Sequence, residues 1–243
     1  MCLKKIKNNM LFFKSLIFWI IFLISILLLS PILIFLRIFS YSSALSIAKV
    51  WAFITIKSLK IFCNLEYKII GKKNLNFSDK IVFSKHQSTW ETIFFILLIP
   101  KPVFVVKKEL MFIPLFGWCL YLLGNIGIDR NSGRKAIKKM MLNGNNLIKK
   151  GHTIIVFPEG TRVSYKSKTV IKKGGLLMTR SMNLGILPVT HDAGKYWPKH
   201  SFIKYPGTIK MIIGKPIPSH VVSSHDFKNQ IEKWMDKAFL TDF

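Results

Sequence analysis

The chain has 243 residues, 50% of them hydrophobic, and 37 Lys and Arg against 11 Asp and Glu give a formal net charge of +26. That length suits one domain with a sizeable core plus an appendage, and a charge excess beyond the needs of solubility suits nucleic acid, an anionic bilayer, or acidic small substrates and carriers. Cys2, Cys63 and Cys119 are odd in number and lack paired or zinc-ligand spacing, which excludes a disulfide scaffold and a zinc site and suits a reducing compartment.

The N-terminus reads as a separate unit, residues 1–62, ahead of a catalytic-type domain over 63–243. From Leu16 to Leu36 run 21 residues without a charge, long enough to cross a bilayer core of about 30 Å. Lys4, Lys5, Lys7 and Lys14 precede that run and place its N-terminal side in the cytoplasm. It is too long for a signal peptide and lacks a small-residue cleavage site. Pro31 interrupts it, and Tyr41 to Phe62 follows with Lys49, Lys57 and Lys60 among apolar residues, the pattern of an interfacial helix. Two geometries fit: a helical hairpin dipping into one leaflet, or a single span.

Beyond residue 64 strands and helices alternate. Strands are predicted at 65–70, 81–85, 102–106, 125–128, 153–157, 186–190 and 208–213, and helices near 90–99, 114–123, 133–150, 171–183 and 225–239. Alternation of this kind gives an α/β fold with a mostly parallel sheet flanked by helices, preceded by the N-terminal hydrophobic, membrane-associated helical segment. Ligands of such sheets sit at the carboxyl ends of the strands.

Two blocks carry chemistry at those ends. His86-Gln87-Ser88-Thr89-Trp90-Glu91 places an imidazole five positions before a carboxylate, where a strand gives way to a helix. On a continuous helix the two would point apart, but a histidine in the turn can fold back over the first helical turn. A histidine so placed can take a proton from a hydroxyl, with the carboxylate fixing its tautomer. Ser88 and Glu91 also form a capping box, and the two roles are compatible. The second block, Phe157-Pro158-Glu159-Gly160-Thr161-Arg162, ends the next buried run with a turn and an arginine whose planar fork matches phosphate oxygens. Alone it also reads as an ordinary strand-ending turn. Only five basic residues are Arg: Arg37, Arg130, Arg134, Arg162 and Arg180. His191-Asp192 is a second His/acid pair; adjacent strand residues face opposite ways, so a surface role is expected. His152, His200, His220 and His225 sit among polar residues and read as solvated.

With Gly124 to Arg130 (Gly-Asn-Ile-Gly-Ile-Asp-Arg) and Leu187-Pro188-Val189, these blocks make four in order. The chain thereby resembles the bacterial glycerophospholipid acyltransferase family of 1-acylglycerol-3-phosphate acyltransferases, over about residues 65–215. The family pattern has Asp where this chain has Glu91, and commonly a large apolar residue at Gly127, whose absence loosens the local packing. The resemblance implies transfer of an acyl group from acyl-CoA or acyl-carrier-protein to the free hydroxyl of lysophosphatidic acid, giving phosphatidic acid in phospholipid biosynthesis, without a cofactor or metal. It implies His86 as base, Glu91 as its orienting carboxylate, Arg130 and Arg162 on the acceptor phosphate, and Glu159, Gly160 and Thr161 shaping that pocket. The implied place is the inner membrane, catalytic domain on the cytoplasmic side, against anionic lipid.

Two rivals are an acyltransferase acting on another lysolipid or an amino-acid lipid, and a non-enzymatic basic membrane protein binding anionic lipid or nucleic acid. No nucleic-acid motif with stacking aromatics, nucleophile elbow, phosphate loop or dinucleotide fingerprint is present, which argues against nucleic acid as partner and against a serine hydrolase or a nucleotide-dependent enzyme.

Overall fold

A computed structural model describes residues 2–75, 80–129 and 134–238. Helix α1 (Cys2–Phe39) runs unbroken through Pro31, which removes one backbone donor from the helix ladder. Ser40 turns the chain in extended conformation and its Oγ accepts from Ser43 N, starting α2 (Tyr41–Cys63), which ends on Asn64 in the left-handed region. The two helices form a hairpin.

Seven strands follow: β1 (Leu65–Ile70), β2 (Lys80–Ser84), β3 (Pro102–Lys107), β4 (Ile126–Ile128), β5 (Thr153–Val156), β6 (Gly185–His191) and β7 (Gly207–Ile213). They form one sheet in the order β1-β7-β6-β2-β5-β3-β4, parallel at every pairing except β6 with β7. Between them lie α3 (Trp90–Leu98), α4 (Phe116–Leu122), α5 (Arg134–Lys149), α6 (Lys173–Ser181) and α7 (Ala193–Tyr196), and after β7 come α8 (Ser219–Val222) and α9 (Phe227–Lys237). The short α7 and α8 have no counterpart in the predicted elements.

The strands read as continuous apolar runs because both sheet faces are covered. Val82, Ile155 and Leu187 point into one core with Phe18 of α1, Ala52, Ile56 and Leu59 of α2, and Trp90, Phe94 and Phe95 of α3. Their neighbours Ile81, Phe83, Ile154 and Ile186 point into the other, with Val222 of α8 and Phe227, Ile231 and Met235 of α9. The hairpin therefore shares the core of the α/β domain.

It lies flat across that domain, fastened at both ends. Towards its start, Lys204 N donates to Ser15 Oγ at 2.9 Å and Trp19 Nε1 to Phe202 O at 2.9 Å. The buried Lys204 ammonium lies over the Trp19 and Trp197 rings, 4.4 and 4.7 Å from their centroids. At the far end Arg37 Nε donates to Leu122 O at 2.8 Å. His152, expected in solvent, is half-buried there, its ring edge-on to Tyr41. The outer side of α1 exposes Phe13, Ile20, Ile24, Leu27, Leu28, Phe35 and Ile38.

Candidate active site

Strand β2 ends at Ser84, and residues 85–89 cross from sheet to helix before α3 begins. The crossing lets His86 fold back: its Nδ1 lies 2.8 Å from Glu91 Oε1. The same oxygen accepts from Gln87 N and Ser88 N, both at 2.9 Å. Glu91 thus performs both roles expected of it, capping the first turn of α3 and pairing with the imidazole. It is fully buried. Burial works against its charge, but the neighbouring His191 and His86 rings and the Ser88 N–H hold its carboxyl below the ordinary carboxylate range. An ionised Glu91 fixes the proton on His86 Nδ1 and leaves Nε2 to act as acceptor. The His86 ring stacks on Phe157, centroids 4.1 Å apart.

His86 opens into a cavity of about 730 Å³. Around the imidazole its lining is polar: Ser88, Thr89, Thr161, Arg162, Lys172 and Lys199. Away from it the wall is apolar, built from Phe22, Ile26, Leu29 and Leu33 of α1, Ala48 and Trp51 of α2, and residues of α3, β3 and α4. The cavity is thus a cleft between the hairpin and the sheet, lined mostly by apolar side chains with Lys107, Arg162, Lys172 and Lys199 among them.

The second block is split by its turn. Gly160 takes φ +69 and lines the cavity with Thr161 and Arg162, whose Nη1 donates to Thr89 Oγ1 at 3.0 Å. Glu159 faces away from the cavity: it is buried, and its Oε1 accepts from His86 N at 3.3 Å. Burial pushes its carboxyl up to about 7. Glu159 therefore props the histidine backbone from beneath. Arg130 lies outside the described residues. Its predecessor Asp129 pairs with Lys108 at 2.6 Å. Gly127 does not loosen its surroundings: Met111 fills the space, its Sδ 2.6 Å from where a Cβ would stand.

The structure corrects the expectation for His191 and Asp192. Both are buried, because β6 lies inside the sheet with helices over both faces, so neither side of the strand meets water. His191 Nε2 donates to Lys85 O at 2.8 Å and Nδ1 accepts from Ala193 N at 3.3 Å; burial lowers its pKa, opposed by the neighbouring Glu91 charge. Its Nε2 stands 3.8 Å from Glu91 Oε2, an oxygen with no hydrogen-bond partner among the described residues. Asp192 Oδ1 accepts from Lys210 N. Lys85, one lysine among many in the sequence, has its ammonium buried on Asp236 at 3.0 Å and Ser167 O at 3.1 Å. The adjacency of His191 to an acid was the one signal available for these residues; Lys85 carried none.

A family model for acyltransferases matches residues 66–192. A 1-acyl-sn-glycerol-3-phosphate acyltransferase of Pseudomonas aeruginosa is 38% identical over 164 residues, 68% of this chain and 64% of that protein. The enzyme of that name from Saccharomyces cerevisiae is 29% identical over 189 residues, 75% of this chain and 62% of the relative. A chloroplastic one from Arabidopsis thaliana is 31% identical over 178 residues, 70% and 48% respectively. The chain spans about half to two thirds of the length of these curated relatives. Its fold matches the crystal structure of the 1-acyl-sn-glycerophosphate acyltransferase PlsC from Thermotoga maritima, with a TM-score of 0.77 at 22% identity over 97% of each chain.

Proposed function

The chain belongs to the acyltransferase family, and from that membership we propose that it moves an acyl group from an acyl-CoA or acyl-carrier-protein thioester to the free hydroxyl of 1-acylglycerol-3-phosphate, giving phosphatidic acid. One observation carries the reading. The His86–Glu91 pair, 2.8 Å apart through Nδ1, lines a cavity that holds Arg162, Lys172 and Lys199 and is otherwise mostly apolar.

Each part has a task. His86 Nε2 takes the proton of the acceptor hydroxyl as its oxygen attacks the thioester carbonyl. The imidazolium that forms is stabilised by Glu91, whose charge is held by two backbone N–H groups. When the tetrahedral adduct collapses, the C–S bond breaks and the thiolate takes the proton from Nε2. Arg162 binds the acceptor phosphate beside Gly160 and Thr161, and Arg130 shares that task. Lys172 and Lys199 in the lining attract the acidic carrier. The apolar wall receives the fatty chain. The relatives' names supply the acceptor.

The hairpin holds the cleft against the bilayer. Residues Asn8–Phe39 are long and apolar enough to cross a membrane by length and composition. The attachments at Trp19 and Arg37, some 27 Å apart along the helix at 1.5 Å per residue, nevertheless bind the middle and the C-terminal end of α1 to one domain. A crossing helix would carry one of those contacts through the hydrocarbon. On this reading α1 lies along a single leaflet with its exposed apolar side in the acyl region. The N-terminal lysines support a seat on an anionic leaflet, which on this reading is the cytoplasmic face of the inner membrane.

The test is a purified-protein assay with lysophosphatidic acid in micelles and a panel of thioesters. Phosphatidic acid should form. His86→Ala should lower kcat by at least about 10²-fold with an unchanged thermal midpoint. No product from any thioester, or near-normal turnover in the variant, rejects the mechanism.

A further inference from the structure

We infer that the segment from Lys108 to Leu122 is a second bilayer-inserting surface, seated in the same leaflet as the hairpin; the inference rests on the hairpin reading above. The segment is a short 3₁₀ turn (Lys108–Phe112) followed by α4. Its outer side exposes Phe112, Trp118 and Tyr121 at 77, 51 and 69%, with Leu110 and Ile113 beside them at 38 and 44%. Soluble surfaces scatter such residues singly; a cluster of this kind in so short a segment marks an interaction site.

Three observations identify a lipid surface as the occupant. The first is continuity. Cys119 Sγ lies 3.9 Å from Ser30 O and Leu122 O accepts from Arg37 Nε, so α4 rests against the half of α1 that exposes Leu27, Leu28, Phe35, Ile38 and Phe39. One flat apolar medium covers both surfaces at once. The second is composition. Trp118 and Tyr121 are the residue types that settle at the headgroup level, in a chain whose charge of +26 favours anionic headgroups. The third is the opposite side of the segment. Phe116, Cys119 and Leu120 line the cavity, so these few residues form a thin wall with lipid outside and the cleft inside. The hairpin is then one of two feet on which the protein stands, and the bilayer seals the cleft along both.

The experiment places single cysteines in the full chain after Cys2→Ser, Cys63→Ala and Cys119→Ala. The sites are Phe112, Tyr121, Ile24 on the hairpin, and Lys233 on α9 across the sheet. Each carries an environment-sensitive fluorophore and is read on phosphatidylglycerol–phosphatidylethanolamine vesicles containing a nitroxide lipid quencher. Labels at 112, 121 and 24 should shift to the blue and be quenched, while 233 stays in water. If 112 and 121 stay in water while 24 inserts, the second foot is refuted and the hairpin reading stands. If 24 also stays in water, the hairpin reading fails and takes this one with it. In the wild-type background, Phe112→Ser/Trp118→Ser/Tyr121→Ser should reduce vesicle partition by about 10-fold or more with an unchanged thermal midpoint. Undiminished partition overturns the proposal.

Discussion

Replacing Glu91 by Asp restores the residue of the family pattern, and the structure predicts that it disables this chain. Shortening the side chain by one C–C bond, about 1.5 Å, would stretch the 2.8 Å contact with His86 Nδ1 to about 4 Å, beyond the reach of a hydrogen bond. The loop has little freedom to follow. Gln87 Oε1 is held by Gly194 N at 3.1 Å and Ser88 Oγ donates to Trp197 O at 2.7 Å, while Trp90 begins α3 fully buried. Gln87 N and Ser88 N lose the same acceptor, and each buried donor left unpaired costs about 1–3 kcal/mol. The expected result is a stability loss of about 2–6 kcal/mol with kcat lower by about 10²-fold. Glu91→Gln keeps the reach and loses the charge, so it should unfold close to wild type while kcat drops about 10-fold. Turnover is followed by thiol release with lysophosphatidic acid in micelles, and stability by thermal unfolding. Wild-type kcat and thermal midpoint in the Asp variant would refute the distance argument.

Arg162→Ala should raise KM for the phosphorylated acceptor about 10-fold or more, since charge-assisted bonds to phosphate contribute roughly 1.5–3 kcal/mol; an equal rise for the thioester would reject its assignment to the phosphate. Glu159 favours the fold in its protonated form, so its contribution is complete below the ordinary value near 4.5 and is lost as pH rises through about 7; by pH 8 the loss is about 3 kcal/mol. Glu159→Gln should therefore gain stability over wild type between pH 5 and 8 in urea unfolding, and a pH-independent difference would contradict the burial argument. Gly127→Leu should cost about 1–3 kcal/mol by colliding with Met111, and Met111→Ala should recover part of that in the double variant; additive losses would show that the two do not compete for one space.

The strands and long helices of the α/β domain were legible because each is a bounded apolar run or a clear 3.6-residue pattern. The histidine, its carboxylate and the arginine loop were legible because residue type, spacing and strand ends agreed. What escaped was decided by partners far along the chain. Lys85 meets Asp236 across 151 residues, and Met111 fills the gap at Gly127 from the neighbouring turn. His191 was misplaced because alternation fixes the direction of a side chain and says nothing about whether both sides of a sheet are covered. The hairpin's part in the cleft was hidden for a related reason: the inward residues of α1 and its exposed residues are equally apolar, so composition does not separate them.

The Lys85–Asp236 pair also decides which distant parts of the fold stand or fall together. Asp236 of α9 accepts from Lys85 Nζ, 151 residues away, and from Thr169 N and Oγ1, and strand β1 pairs with β7 along its whole length. The backbone ahead of His86 is therefore secured from the opposite side of the sheet. A lesion in α9 would reach the imidazole without touching the cleft.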